Sequence, residues 1–312
     1  MHKIRTLIVD DSPFMRLLIF NIIKNSDFAE VVGIARDGIE AVEKVMKLHP
    51  DVIVLDILMP KMDGIAALTE IMRKRPTPTI IFSILDRSQI KPVLEAFKTG
   101  AVDFLKKPGG DYISEASLLE SIKNELLTKV KFAAGARIIP QEELYANFTR
   151  EELIPKAEPL PDAKKHVIVI GASTGGPRIL PVLLKQFPST APPILIVQHM
   201  PVEFTEYFAN SLNAQCMISI TEASSGVRLR SGHAYVAKGG YHLEVISKQN
   251  PVIQLTEDPP VNYVRPAVDV TLSSVAKVYG KKVIAIILTG MGNDGVAGMK
   301  AIKDMKGTTI AQ

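Results

Sequence analysis

The feature that most constrains this chain is an alternation, run through twice, of short apolar strand candidates with amphipathic helical stretches. In the N-terminal part the strand candidates are residues 5–9, 31–35, 52–55, 79–82 and 103–105. Helical patterns over 13–24, 38–49, 64–74 and 90–99 separate them. Strand–helix repeats of this kind predict a doubly wound parallel sheet, the flavodoxin-like class. Residues 128–164 lose the β periodicity and carry Glu151-Glu152, Pro155, Pro159 and Pro161, so they read as an interdomain linker, with a short helical pattern at 141–150. A second α/β pattern opens at His166. Its other apolar strands are 194–197 and 283–288, and its helices include 178–186 and 268–279. Between residues 218 and 255 short strands with Gly turns predict a β-rich insertion into a mainly parallel domain. The expected organisation is two α/β domains, 1–127 and 165–312, joined by the linker.

Composition narrows the function classes. With 312 residues, each domain can bury its own core. The longest apolar stretches are strand-length, far short of the ~20 residues a membrane span needs, so no membrane insertion is expected. Met1-His2-Lys3 runs directly into an apolar strand, with no export leader in view. The one cysteine, Cys216, cannot form an internal disulfide; it fits a reducing cytoplasm and is expected as a buried structural thiol. A net charge of +4 is scattered along the chain, and no helix-turn-helix pattern accompanies it, so nucleic acid is not an expected partner.

Ligands of open α/β sheets bind beyond the carboxyl ends of the strands. Asp10 and Asp11 close the first strand, Asp56 the third and Ser83 the fourth, while Lys107 follows the fifth. Carboxylates with a lysine suit a Mg²⁺ ion, which takes oxygen ligands. The ion would neutralise a phosphoryl group attacked by Asp56, with Ser83 and Lys107 on its oxygens. Aspartates after strands also cap helices. Capping accounts for any one of these positions, but poorly for all of them on one edge.

Ser173 stands in a second constellation, in the strand-to-helix turn Gly171-Ala172-Ser173-Thr174-Gly175-Gly176-Pro177. Such a turn either cradles phosphate at a helix N-terminus or exposes a nucleophile, and by itself it does not choose between them. His199 follows the strand 194–197 and Asp294 follows 283–288. If these strands are parallel, all three side chains share one edge, the logic of a Ser-His-Asp triad. His2, His49, His166, His233 and His242 fit solvated or structural roles better. A non-catalytic phosphate-binding module built on residues 171–176 remains the alternative.

Asp10-Asp11-Ser12, the run from Leu55 through Asp56 to Gly64, Lys107-Pro108 and Phe104 at the aromatic switch position resemble the receiver domain of response regulators over about residues 3–127. The runs 171–177, 197–201, 232–237, 261–269 and 288–295 resemble the CheB family of chemotaxis methylesterases, the protein-glutamate methylesterases and glutamine deamidases. The resemblance implies a phosphoacceptor at Asp56 and Mg²⁺ held by Asp10, Asp11, Asp56 and the carbonyl of Leu58. It implies hydrolysis by Ser173, His199 and Asp294 without a cofactor, and an oxyanion donor at Met291. Thr174 and Arg265 would serve positioning, with a structural ion pair as an equal alternative for Arg265. The implied partners are methylated chemoreceptors as substrate and the histidine kinase CheA as phosphodonor, in the cytoplasm. The sequence departs from the family pattern at Lys238, usually proline, at Ala267, commonly serine, and at Ile84 and Asp86 after Ser83. The family typically continues past the position of Gln312, so a further C-terminal piece is expected to complete the domain.

Overall fold

The computed structural model describes residues 3–84, 89–108, 116–136, 138, 165–290 and 292–312. The chain divides into two compact units, Met1–Asn147 and Phe148–Gln312.

In the first unit, strands β1 (Ile4–Val9), β2 (Ala29–Ala35), β3 (Val52–Leu55), β4 (Thr79–Ser83) and β5 (Asp103–Lys106) pair in parallel in the order β2-β1-β3-β4-β5. All of β3 and β4 is buried, which is why these strands read as continuous apolar runs rather than alternating ones. Helices α1 (Pro13–Lys24), α2 (Gly38–Leu48), α3 (Gly64–Lys74), α4 (Ile90–Thr99) and α5 (Ala116–Gly135) follow the strands in turn. Ser12, Asp37 and Asp63 each accept a first-turn N–H of the helix they precede, so the starts of α1, α2 and α3 are written locally. Strand order reverses between β1 and β3, which opens a crevice at the carboxyl ends where Asp10 and Asp56 stand.

Helix α5 runs into the segment read as linker. Val130 and Ala133 are buried with Leu126 against the first unit's core, so residues 128–135 belong to that unit. The linker reading rests on the loss of β periodicity after residue 127, which does not show where a helix stops packing. The helical pattern at 141–150 lies outside the described residues.

Gly64 opens α3 directly against the strand-end loop. A Cβ there would stand 2.1 Å from the carbonyl oxygen of Asp56 and 2.8 Å from Cα of Ile57. Both are backbone atoms and yield little. Gly64→Ala is expected to destabilise the first unit by about 1–3 kcal/mol, measured by denaturant unfolding of the full chain. An unchanged midpoint would contradict this close approach.

In the second unit β6 (Val167–Ala172), β7 (Ile194–Gln198), β8 (Ser219–Glu222), β9 (His233–Val236), β12 (Val283–Ile287) and β13 (Thr308–Ala311) form one parallel sheet ordered β13-β12-β6-β7-β9-β8. The helices are α6 (Gly176–Leu184), α7 (Val202–Asn213), α8 (Val268–Tyr279) and α9 (Val296–Asp304). The expected insertion resolves into two parts. Strands β8 and β9 extend the main sheet past β7, and only β10 (His242–Ile246) and β11 (Val252–Thr256) stand apart as an antiparallel pair. Strand β9 is too short to announce its partner, and its register with β7 (Ile194 against Ala234) is a long-range pairing with no local signature.

No described helix is long and apolar enough to cross a membrane. Cys216 is half-buried rather than buried, and burial pushes its thiol pKa up.

Candidate active site

Two groups of chemistry-bearing side chains form, one at the carboxyl edge of each main sheet. In the first unit Lys107, itself buried, places Nζ 2.7 Å from Asp10 Oδ2 and 2.7 Å from Asp56 Oδ2. The remaining oxygens are held by backbone: Ser12 N–H donates to Asp10 at 2.9 Å, and Ile57 N–H to Asp56 at 2.7 Å. Burial raises the pKa of both carboxyls, and the nearby lysine recovers only part of that shift. Asp11 is exposed beside them, and the three residues can present carboxylate oxygens within 4.8 Å of one another. Three carboxylates against one ammonium leave an excess of negative charge among oxygen donors, a set that fits Mg²⁺. The Ser83 hydroxyl is buried without a hydrogen-bond partner among the described residues, at the end of the neighbouring β4. Phe104 is buried on β5, and Leu58 in the β3–α3 loop keeps its side chain in solvent.

In the second unit β12, β6 and β7 are adjacent and parallel, so the residues that follow them meet at one edge. His199 and Asp294 are in contact: Nε2 lies 2.8 Å from Asp294 Oδ2, the imidazole is 16% exposed and the carboxylate 3%. Asp294 also accepts the N–H of Val268 on Oδ2 at 2.7 Å and that of Asp269 on Oδ1 at 3.0 Å. Those two residues are the first turn of α8, whose N-cap, Ala267, supplies no side-chain bond. The carboxylate thus caps a helix it does not belong to and sits in the positive end of its dipole. Burial alone would raise its pKa; the bonds from His199, Asp269 and Val268 outweigh that, and the net shift is downward. An ionised carboxylate only accepts, so Nε2 carries the shared proton, and in the neutral imidazole Nδ1 is the nitrogen left to accept.

Ser173 is half-buried in the turn between β6 and α6. Its N–H donates to the Thr289 carbonyl at 3.0 Å, which ties the turn to the segment following β12. Thr289 Oγ1 donates in turn to the carbonyl of Thr174 at 2.6 Å. Among the described residues, Ser173 Oγ makes no hydrogen bond, to His199 or otherwise. Hydrogen bonds of this type are often long before a substrate closes the site.

Gln198, the last residue of β7, was not singled out by the sequence, yet it holds the serine and histidine segments together. Its buried amide donates to the carbonyls of Ser173 at 3.0 Å and His199 at 3.1 Å. A Cβ on Gly176 would lie 1.9 Å from Gln198 Oε1, so glycine at this position makes room for the amide. The Gly176 N–H is also engaged, with the carbonyl of Ser173 at 2.8 Å. This is what a turn that orients a side chain requires, more than one that cradles phosphate. Gly176→Ala is expected to displace Gln198 and lower kcat by about 10–100-fold, since small misplacements near a reacting group cost that much. Steady-state hydrolysis with a near-native Tm would check it, and a wild-type kcat would refute it.

The remaining sequence candidates are placed as follows. Arg265 Nη1 donates to the carbonyls of Glu257 at 2.7 Å and Asp258 at 3.0 Å, and among the described residues it forms no ion pair. Met291, Asp86 and His2 lie outside the described residues. His242 is buried; it accepts Ala267 N–H on Nδ1 at 3.2 Å and meets the Pro259 carbonyl through Nε2 at 3.1 Å, a structural histidine. His166 precedes β6 and His233 opens β9, at the opposite edge. Lys238 packs its ammonium over the Tyr241 ring at 5.4 Å.

Residues 168–312 match the family model described as CheB methylesterase, and residues 6–122 match the response regulator receiver domain. A protein of Archaeoglobus fulgidus named protein-glutamate methylesterase/protein-glutamine glutaminase is 43% identical over 309 residues, 98% of this chain and 87% of the relative. A Geobacter metallireducens protein of the same name, numbered 1, is 41% identical over 100% of this chain and 86% of its own. The crystal structure of the Thermotoga maritima CheB methylesterase catalytic domain is similar at 41% identity and a TM-score of 0.46, covering 47% of this chain and 78% of that one.

Proposed function

This chain belongs to the CheB methylesterase family, with a response regulator receiver domain ahead of the hydrolytic segment, and from that membership we propose that Ser173, His199 and Asp294 perform its reaction. As a family member it is a carboxylic ester hydrolase and deamidase of the protein-glutamate methylesterase/protein-glutamine glutaminase type. The observation that carries the residue assignment is the 2.8 Å pairing of His199 with a helix-anchored Asp294 at the strand edge that also bears Ser173.

Asp294 occupies Nε2, so Nδ1 is the base. Ser173 Oγ gives its proton to Nδ1 as it attacks the γ-carbonyl of a methylated glutamate. The imidazolium returns that proton to the leaving oxygen, which departs as methanol and leaves an acyl-serine. Water then gives a proton to Nδ1, attacks the acyl carbon, and releases the glutamate carboxylate while Oγ is reprotonated. A glutamine side chain follows the same course with ammonia as leaving group. Asp294 stays ionised throughout and stabilises the imidazolium. By family resemblance the N–H of Met291 binds the oxyanion, a donor whose loss typically costs on the order of 10²–10³ in turnover. Thr174 and Arg265 are assigned to shaping the site, Thr174 through its bond from Thr289 and Arg265 by bracing residues 257–258.

In the receiver, Asp56 is the phosphoacceptor, and Asp10, Asp11, Asp56 and the Leu58 carbonyl are the Mg²⁺ ligands. The ion, when bound, neutralises charge on the phosphoryl group. Lys107, now shared by Asp10 and Asp56, would exchange its Asp56 partner for a phosphoryl oxygen, and the unpartnered Ser83 hydroxyl would donate to another. Methylated chemoreceptors are the proposed substrate and the kinase CheA the phosphodonor. The unphosphorylated receiver restrains the hydrolase, and phosphorylation shifts the population toward the unrestrained form. The presence of receiver and hydrolase on one chain supports this coupling. Methanol release from methylated receptor membranes tests the whole reading, with Ser173→Ala and Asp56→Asn as the deciding variants.

A further inference from the structure

Asp294 and Asp269 cap each other's helices. Asp294 precedes α9 and accepts the first-turn N–H groups of α8, from Val268 and Asp269. Asp269 lies in the first turn of α8, and its Oδ1 accepts the N–H of Gly298, in the first turn of α9, at 2.6 Å. Its Oδ2 takes the side-chain N–H of Asn262 at 2.9 Å, and the same amide reaches Asp294 Oδ1 at a long 3.5 Å. The start of a helix carries N–H groups without intrahelical partners and a partial positive charge, so each carboxylate is anchored by the neighbouring helix. The first turn of α9 packs closely on the second turn of α8: a Cβ on Gly298 would stand 2.5 Å from Cβ of Leu272. Neither helix start can move against the other without breaking one of these caps, and the Asp294 loop lies between them.

We infer that Asp269 and Asn262 are positioning residues for the hydrolytic reaction, fixing the loop of Asp294 and, through it, the imidazole of His199. The inference rests on the assignment of Ser173, His199 and Asp294 above. Asp269 is 8% exposed and has no cationic partner among the described residues. A buried carboxylate without a counter-ion is costly unless fully hydrogen-bonded, and both of its side-chain bonds go to segments that frame Asp294. Asn262 sits with Tyr263 in a tight turn closed by the Val261–Val264 bridge, at φ of 53° and 66°. Asparagine tolerates that left-handed backbone, and the turn directs its amide at the two carboxylates.

The test measures kcat and KM for methanol release from methylated receptor membranes, using the full chain with a small acyl-phosphate donor. Asp269→Ala is expected to lower kcat by about 10–100-fold with KM within about twofold, because Asp294 acts on the imidazole rather than on bound substrate. Asp269→Asn should recover part of that loss, since its amide oxygen still accepts the Gly298 N–H while its NH2 can no longer accept from Asn262. Asn262→Gly keeps the left-handed turn while removing the amide, and should lower kcat by about 3–10-fold, again at constant KM. If Asp269→Ala does not fold, Asn262→Gly decides by the same criterion. Wild-type kcat in these variants, or an Ala defect that Asn leaves unrescued, overturns the inference while the triad stands. A Ser173→Ala enzyme that keeps turnover in the same assay brings down the triad assignment and this inference with it.

Discussion

Ser173→Ala is expected to lower methanol release from methylated receptor membranes by three or more orders of magnitude and leave the fold intact. The size follows from what is lost. Without Oγ there is no acyl intermediate, and the His199–Asp294 pair has no proton to take. What persists is binding and oxyanion stabilisation, and in serine hydrolases a nucleophile knockout costs up to about 10⁶ in kcat. The intact fold follows from the structure: the residue's anchoring bonds are made by its N–H, to Thr289, and its carbonyl, from Gln198 and Gly176, all of which alanine retains. Ser173 Oγ itself makes no hydrogen bond among the described residues, so Tm should shift by no more than a surface substitution would shift it. Turnover within tenfold of wild type would remove Ser173 as nucleophile. It would return the turn to its other sequence reading, a phosphate cradle.

Asp56→Asn is expected to abolish phosphoryl incorporation and with it any stimulation of the hydrolase by a phosphodonor. Basal hydrolysis should persist, because the substitution lies outside the hydrolytic unit. The accompanying stability change discriminates a switch from a scaffold. Asp10 and Asp56 are buried carboxylates sharing one ammonium, and burial raises both pKa values. A raised carboxyl pKa means the folded state binds protons more tightly than the unfolded chain. In the absence of metal, the contribution of these two groups to stability is therefore fully present below the ordinary value of 3.8 and is lost as pH rises through their folded pKa. Asparagine removes one of these charges while its oxygen can still accept the Ile57 N–H, so the metal-free variant should melt no lower than wild type at neutral pH. A large loss of stability would mark Asp56 as structural. Equal hydrolysis by the intact and receiver-deleted proteins, with and without phosphodonor, would sink the coupling between the two sites.

These expectations draw unequally on sequence and structure. The helices 13–24, 64–74, 90–99 and 268–279 and the strand 52–55 end where the sequence pattern ends them. The starts of 13–24 and 64–74 are set by local chemistry, a Ser or an Asp cap with a Pro opening the first, and 52–55 is an apolar run that stops at a charge. Asp10, Asp56 and Lys107 were legible for the same kind of reason, since each simply terminates a strand or follows one. Strands β8 and β9 were misread as part of an insertion because four residues carry no record of which strand they pair with. Residues 128–135 were misplaced because the amphipathic spacing of α5 does not say how much of its length finds a core to pack against.

The alternating pattern thus determined by itself that the chain forms two parallel α/β units, and the strand ends determined which side chains crowd each edge. Local hydrogen bonding and side-chain burial suffice for that, because they act over a few residues. Only the tertiary structure decided the electrostatics of the hydrolytic site. The pKa of Asp294 is held down by the hydrogen bond from His199, 95 residues away in sequence, and by the start of α8, 25 and 26 residues away. Gln198 joins the serine and histidine segments across 25 residues, and Asp269 reaches α9 across 29. Contacts of that span leave no periodicity in the chain. On the assignment proposed above, the imidazole nitrogen left to act as base is set where α8 and α9 come together, because that meeting places Asp294 on Nε2.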